Sequence, residues 1–237
     1  MNTITIPSYT KQNYNYGIDT MNVRKMWNRG VTGKDINIAI IDSGCDINHK
    51  DLKNNIVGTY NFTKDDESLL NVTDYLGHGT HITGIIGSQN RRIGVAPDSN
   101  LLILKNLNQK GVGSVDSLVN AINYAINWRG DKGSKIDVIN LSLGTRKDNQ
   151  KLREAVREAT DKNIVIVAAA GNEGDGQDST NEINYPGYYP EVFQIGAIDK
   201  KIIPAYFTNT NANIDFVAPG ENIFSTSPNN QYVILSG

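Results

Sequence analysis

The sequence predicts an α/β fold, a mostly parallel sheet with helices on both faces, and three observations carry that expectation. Short, largely apolar runs recur along the chain, at residues 36–41, 138–144 and 164–170; strands of this kind are buried on both faces, as in parallel sheets. Segments with helical apolar spacing lie between them. Strands alternating with helices give a parallel sheet covered above and below. At 237 residues the chain can bury a sizeable core in one domain.

Residues 1–30 are polar and rich in Asn and Tyr, with Ile6-Pro7 the one stiff point; residues 22–28 read as a short helix burying Val23, Met26 and Trp27. The strand at 36–41 ends at Asp42-Ser43-Gly44. That places a carboxylate where open α/β sheets put their sites, although a turn or cap is the commoner fate of such an Asp. Residues 59–77 read as a polar loop. After Gly94-Val95-Ala96-Pro97 comes a strand at 101–105, and Ser114 can cap a helix carrying Val115, Leu118, Val119, Ile122 and Ile126. A second amphipathic helix carries Leu152, Ala155, Val156 and Ala159. The strand at 164–170 ends at Gly171-Asn172-Glu173-Gly174, and residues 192–198 and 214–217 read as two further strands.

Hydrophobic content of 38% and charged content of 20% suit a globular protein. The net charge of -2 gives no electrostatic case for nucleic acid or an anionic membrane. No apolar run is long enough to span a bilayer. Cys45 is the only cysteine, which excludes an intrachain disulfide. The first residues hold no basic segment followed by an apolar one, so with Met1 as the native start the expected location is the cytoplasm.

The stretch Asp74-Tyr75-Leu76-Gly77-His78-Gly79-Thr80-His81 stands out. Histidine is the side chain suited to moving protons near neutral pH, and glycines on both sides let backbone or substrate come close. Alone, the stretch reads equally as a helix cap with two structural histidines.

Asp42-Ser43-Gly44, His78-Gly79-Thr80-His81 and Gly171-Asn172, in that order, resemble the subtilisin-like serine proteases. So do Ser142-Leu143-Gly144, Tyr185-Pro186-Gly187, Gly196-Ala197-Ile198-Asp199 and Ala218-Pro219-Gly220. The similarity runs from about residue 20 to the end and is strongest toward the intracellular members, with Cys45 after the Asp42 motif and an Ile-Pro near the N-terminus. It implies a three-layer subtilisin-like peptidase domain at 20–237 and an N-terminal extension at 1–19, of which residues 1 to about 10 either lie back across the site and inhibit it or form a free tail. It assigns His78 as general base, Asp42 as its orienting acid and Asn172 as oxyanion donor. Gly111, Gly113, Ser142, Leu143 and Gly144 would pair with the substrate backbone, and Ala168, Ala169 and Gly171 would line an apolar specificity pocket, with Thr145 narrowing it. Tyr185-Pro186 would be a cis bond.

By the same resemblance, Gly237 leads into a Gly-Thr-Ser segment whose Ser is the nucleophile. The fold is therefore expected to be incomplete at the C-terminus, with a missing C-terminal segment as a partner and the chain alone unstable or inactive. Ser236 is no substitute, since it precedes that Gly. No cofactor is required. The family's strong calcium site would use Asp51, but the loop at residues 89–95 is short and brings Arg91 and Arg92 where oxygen ligands are needed, so calcium binding is expected to be weak or lost. His49 is expected to be exposed and His81 to be buried and structural; a zinc pair of His78 and His81 lacks a Glu or Cys at ligand spacing.

The expected partner is a protein or peptide substrate; an oligomer is left open. Two other classes compete: a peptide-binding module that has lost its nucleophile, and a nucleotide-binding α/β protein. The first strand is not followed by a Gly-rich phosphate loop, which weakens the second.

Overall fold

The computed structural model describes residues 14–65, 68–177 and 179–237. The expectation for an inhibitory N-terminal segment falls almost wholly on residues outside these. The described elements begin with α1 (Gly17–Thr20), α2 (Val23–Trp27), β1 (Asn37–Asp42), β2 (Ile56–Asn61), α3 (His78–Gly87) and β3 (Asn100–Lys105). They continue with α4 (Val115–Asn127), β4 (Val138–Leu141), α5 (Gln150–Asp161), β5 (Val165–Ala169) and β6 (Phe193–Ile198). The last are β7 (Phe216–Pro219), β8 (Ile223–Ser227) and β9 (Gln231–Leu235).

Seven strands form one sheet in the order β2-β3-β1-β4-β5-β6-β7, every neighbouring pair parallel. The expected architecture is therefore present. β1 lies where the chain's progress across the sheet reverses, and Asp42 is its last residue. Such a reversal opens a crevice beyond the carboxyl ends of the strands.

Strand alternation sorts the core into two layers. Ala39 and Ile41 of β1 join Leu102, Leu104, Ile139, Leu141 and Ile166 under α4 and α5. Ile38 and Ile40 face the other way, with Leu101, Ile103, Leu52 and Val72, against Ile82 and Ile86 of α3. All the expected α5 positions, Leu152, Ala155, Val156 and Ala159, are buried. Ser114 caps α4 by accepting from the Ser117 backbone N–H, and the Ser117 hydroxyl accepts in return from the Ser114 N–H.

On the α3 side the covering stops partway across the sheet. Val165, Phe193 and Phe216 share that face through their register and are 42%, 46% and 59% exposed. The antiparallel hairpin of β8 and β9 packs on α3 instead: the Thr226 hydroxyl donates to Thr80 O and the Ser225 hydroxyl to His81 O.

Four local expectations are corrected. Met26 is 43% exposed, because a five-residue helix buries only Val23 and Trp27, one turn apart, against Ile18 and Val95. β2 occupies the start of the stretch expected to be loop, and β8 and β9 were not expected. His49 is fully buried rather than exposed, because the hairpin lies over it: its Nε2 meets Gln231 O at 3.1 Å and its ring stands edge-on to Tyr232.

Candidate active site

Asp42 is carried to the carboxyl edge of the sheet by a strand buried along its whole length. Its Oδ1 accepts from the Ser43 backbone N–H at 2.7 Å and meets His78 Nδ1, also at 2.7 Å. An ionised carboxylate only accepts, so Nδ1 carries the proton and Nε2 is left able to take one. Asp42 Oδ2 is buried with no hydrogen-bond partner among the described residues. His78 opens α3. Gly77 before it has φ 81°, and Gly79 after it lies so close to the Gly44 backbone that no Cβ would fit. Burial works against the imidazolium. The charge and hydrogen bond of Asp42 outweigh it, Asp74 adds to them, and the His78 pKa lies above its ordinary value.

Asn172 follows β5. Gly171 takes the positive φ of this turn, 117°, so Asn172 is not there to supply a left-handed conformation. The turn is held by a residue that sequence reasoning missed. Asn209 Nδ2 donates to Ala170 O at 2.9 Å and Glu173 Oε2 at 3.0 Å, while its Oδ1 accepts from the Glu173 N–H at 2.7 Å. Nothing in a lone Asn so far along the chain signals this.

His78, Ser142, Leu143, Gly144, Ala169, Gly171, Asn172 and Gly237 line one cavity of about 270 Å³. A Cβ built on Gly237 would stand 3.4 Å from Asn172 Nδ2. Ala168 is not among the lining residues. It is 2% exposed and packs into the α4–α5 layer, because neighbours on a strand face opposite ways and only Ala169 turns toward the cavity. Gly111 and Gly113 also lie outside the cavity, Gly111 beside Leu76 and Gly113 against Asn106 and Leu107. Thr145 bridges Tyr185 through two 2.8 Å backbone hydrogen bonds, and the Tyr185-Pro186 bond is cis.

Residues 33–237 match the subtilase family. The chain belongs to the subtilase family. This subtilase is 44% identical to the major intracellular serine protease of Bacillus subtilis (strain 168) over 226 residues, 93% of this chain and 69% of that protein. It is 43% identical to the intracellular serine protease of Paenibacillus polymyxa over 225 residues, 93% of this chain and 67% of that one. Subtilisin Savinase of Lederbergia lenta is 37% identical over 229 residues, 95% of this chain and 79% of the relative.

Asp51 Oδ2 accepts from the Tyr232 hydroxyl at 2.8 Å and Asn90 Nδ2 at 3.3 Å, and Arg91 turns away to stack over Trp27. The partners of this oxygen are thus neutral donors rather than an arginine. Among the described residues no group of three or more His, Cys, Asp or Glu side chains is gathered as for a metal ion. His81 is buried, with its Nε2 2.9 Å from Ile223 O. No helix of the described residues is long and apolar enough to cross a membrane.

A second missed residue is Lys105. It is fully buried at the end of β3 and donates to Ser43 O at 2.8 Å and Leu107 O at 3.1 Å, with Asp65 3.4 Å away. In the sequence it reads only as the polar end of an apolar run.

Proposed function

We propose that this subtilase is a serine endopeptidase acting on proteins or peptides through Asp42, His78 and a serine beyond Gly237, with Asn172 facing the oxyanion. The observation that carries this is the 2.7 Å contact between Asp42 Oδ1 and His78 Nδ1, at the mouth of a cavity that Asn172 also lines. His78 Nε2 takes the serine hydroxyl proton as the oxygen bonds to the scissile carbonyl carbon. It returns that proton to the amine as the C–N bond breaks, and water then releases the acyl group by the same route. Asp42 holds the imidazole in the required tautomer. The Asn172 amide donates to the oxygen that gains charge, a neutral donor that leaves the base's pKa little disturbed. Residues 142–144 on one side and 111–113 on the other pair with the substrate backbone.

Three observations support a nucleophile past Gly237. Ser236 Oγ accepts from the Asn222 N–H, so it is engaged outside the site. Gly237 donates to Gly220 O, which directs the chain toward Asn172. The apolar face at Val165, Phe193 and Phe216 is open to a further helix. We assign residues 20–237 to the peptidase domain and residues 1–19 to an extension that restrains it. The relatives named intracellular support a cytoplasmic location. No cofactor takes part.

A fluorophosphonate probe applied to the full-length gene product tests the reading. Labelling that disappears in His78→Ala is expected. Absence of labelling in the folded wild-type protein would favour a peptide-binding module. Asn172→Ala is expected to lower kcat roughly ten- to a hundredfold with KM little changed, the worth of one hydrogen bond to a charged group. Deleting residues 1–10 should raise the peptidase rate; an unchanged rate would reject the restraint.

A further inference from the structure

We propose that Asp74, acting through Ser43, is the positioning residue that holds Asp42 and His78 in register. This rests on the peptidase reading above. Asp74 is buried in the turn before α3. Its Oδ1 accepts from the Leu76 N–H at 3.1 Å, the Gly77 N–H at 2.8 Å and the Ser43 hydroxyl at 2.8 Å. Its Oδ2 accepts from the Thr80 N–H at 2.8 Å and the Thr80 hydroxyl at 2.6 Å. Five donors on one buried carboxylate are more than a turn requires. What they join is informative: Ser43 is the residue after Asp42, and Gly77 and Thr80 bracket His78.

The link closes in both directions. Ser43 Oγ donates to Asp74 and accepts from the Gly79 N–H at 2.9 Å. Gly79 and Thr80 are the second and third residues of α3, whose N-cap, Gly77, has no side chain to satisfy the free N–H groups there. Ser43 and Asp74 take those two donors instead, and an acid at this end of a ten-residue helix also meets the positive pole of its dipole. The helix is thereby bolted to the end of β1 through residues adjacent to the acid and the base, and neither Asp42 nor His78 spends its own groups on the joint. The tie continues outward, since the Thr80 hydroxyl accepts from the Asp46 N–H at 3.0 Å. The charged or titratable groups acting on His78 are then Asp42 from β1, Asp74 from the preceding turn and His81 from its own helix.

The test compares Asp74→Asn and Ser43→Ala with wild type in the full-length gene product. Two readouts are taken: NMR of the His78 ring (its titration and its Nδ1 proton resonance), and kcat and KM on a peptide. Asp74→Asn removes a charge and turns an N–H₂ toward the Thr80 donors. Its His78 pKa is expected to fall below that of wild type and kcat to fall about ten- to a hundredfold with KM little changed, the scale of a small misalignment of reacting groups. Ser43→Ala removes no charge. It is expected to lower kcat and move the Nδ1 proton resonance while leaving the His78 pKa near that of wild type. Should Asp74→Asn fail to fold, Ser43→Ala decides alone. A folded Ser43→Ala protein with wild-type kcat and an unmoved Nδ1 resonance overturns the proposal, as does an Asp74→Asn protein changed only in thermal stability. If wild type itself hydrolyses no peptide, the peptidase reading fails, and the NMR comparison still reports whether Asp74 governs the pair.

Discussion

At the scale of single residues, half-buried His78 and buried His81 and Cys45 respond differently to solution conditions. His78 has its pKa raised because Asp42 more than offsets burial. The stability it lends is therefore present below the unfolded pKa and fades as pH rises through the folded one. As a base it must be neutral, so the acid limb of kcat/KM is expected above the ordinary histidine pKa, and Asp42→Asn should move that limb down as well as reduce the rate. His81 is the reverse case: burial holds its pKa down to about 4, against the support of its bonds to Ile223 and Val233. It must be neutral to fold, so its contribution is intact above about pH 6.5 and is lost as pH falls toward 4, on the order of 3 kcal/mol. Urea unfolding at pH 7 and pH 5 should show the loss, and His81→Gln should flatten it. Burial also pushes the Cys45 thiol up, so alkylation by iodoacetamide at pH 8 is expected only after unfolding.

At the scale of elements, the helices divide by how much of their placement is local. α4 and α5 are readable from sequence because their caps and their 3.6-residue apolar spacing agree. Ser114→Ala should cost about 1 kcal/mol and lower Tm by about 2–4 °C in calorimetry. β1 and β3 are readable for a similar reason, since burial on both faces leaves a nearly continuous apolar run. β2 and the β8–β9 hairpin are not readable. Their residues mix polar and apolar types, and what makes them strands is pairing with β3 and docking on α3. The same hairpin buries His49, which no neighbour in sequence foretells. Met26 fails for the opposite reason: apolar character suggested burial where the short α2 has no third surface to press on. Within the candidate site, Asp42 and His78 are legible because one closes β1 and the other opens α3, and Asn172 because it stands at a glycine turn just after β5. Asn209, Lys105 and the bonds of Asp74 are not, because they act across separations that leave no local pattern.

At the scale of the whole molecule, the sheet is covered on one face and only partly on the other. Val165, Phe193 and Phe216 leave apolar side chains exposed on that second face, the two phenylalanine rings 5.8 Å apart. Each square ångström left in water forgoes about 25 cal/mol. The 237-residue chain on its own is therefore expected to bind an environment-sensitive dye such as ANS and to melt at a lower temperature than the full-length gene product. Equal melting temperatures and no dye binding would show that these side chains need no cover.

The hairpin that grips α3 also sets an order of events during synthesis. His81 reaches Ile223 across 142 positions, and the Thr226 and Ser225 hydroxyls return to Thr80 and His81 across 146 and 144. A ribosome making this polypeptide releases the imidazole of residue 78 long before the clamp that steadies it. For most of translation the first turns of this helix therefore stand without the backbone and hydroxyl partners that residues 223–226 bring to Thr80 and His81.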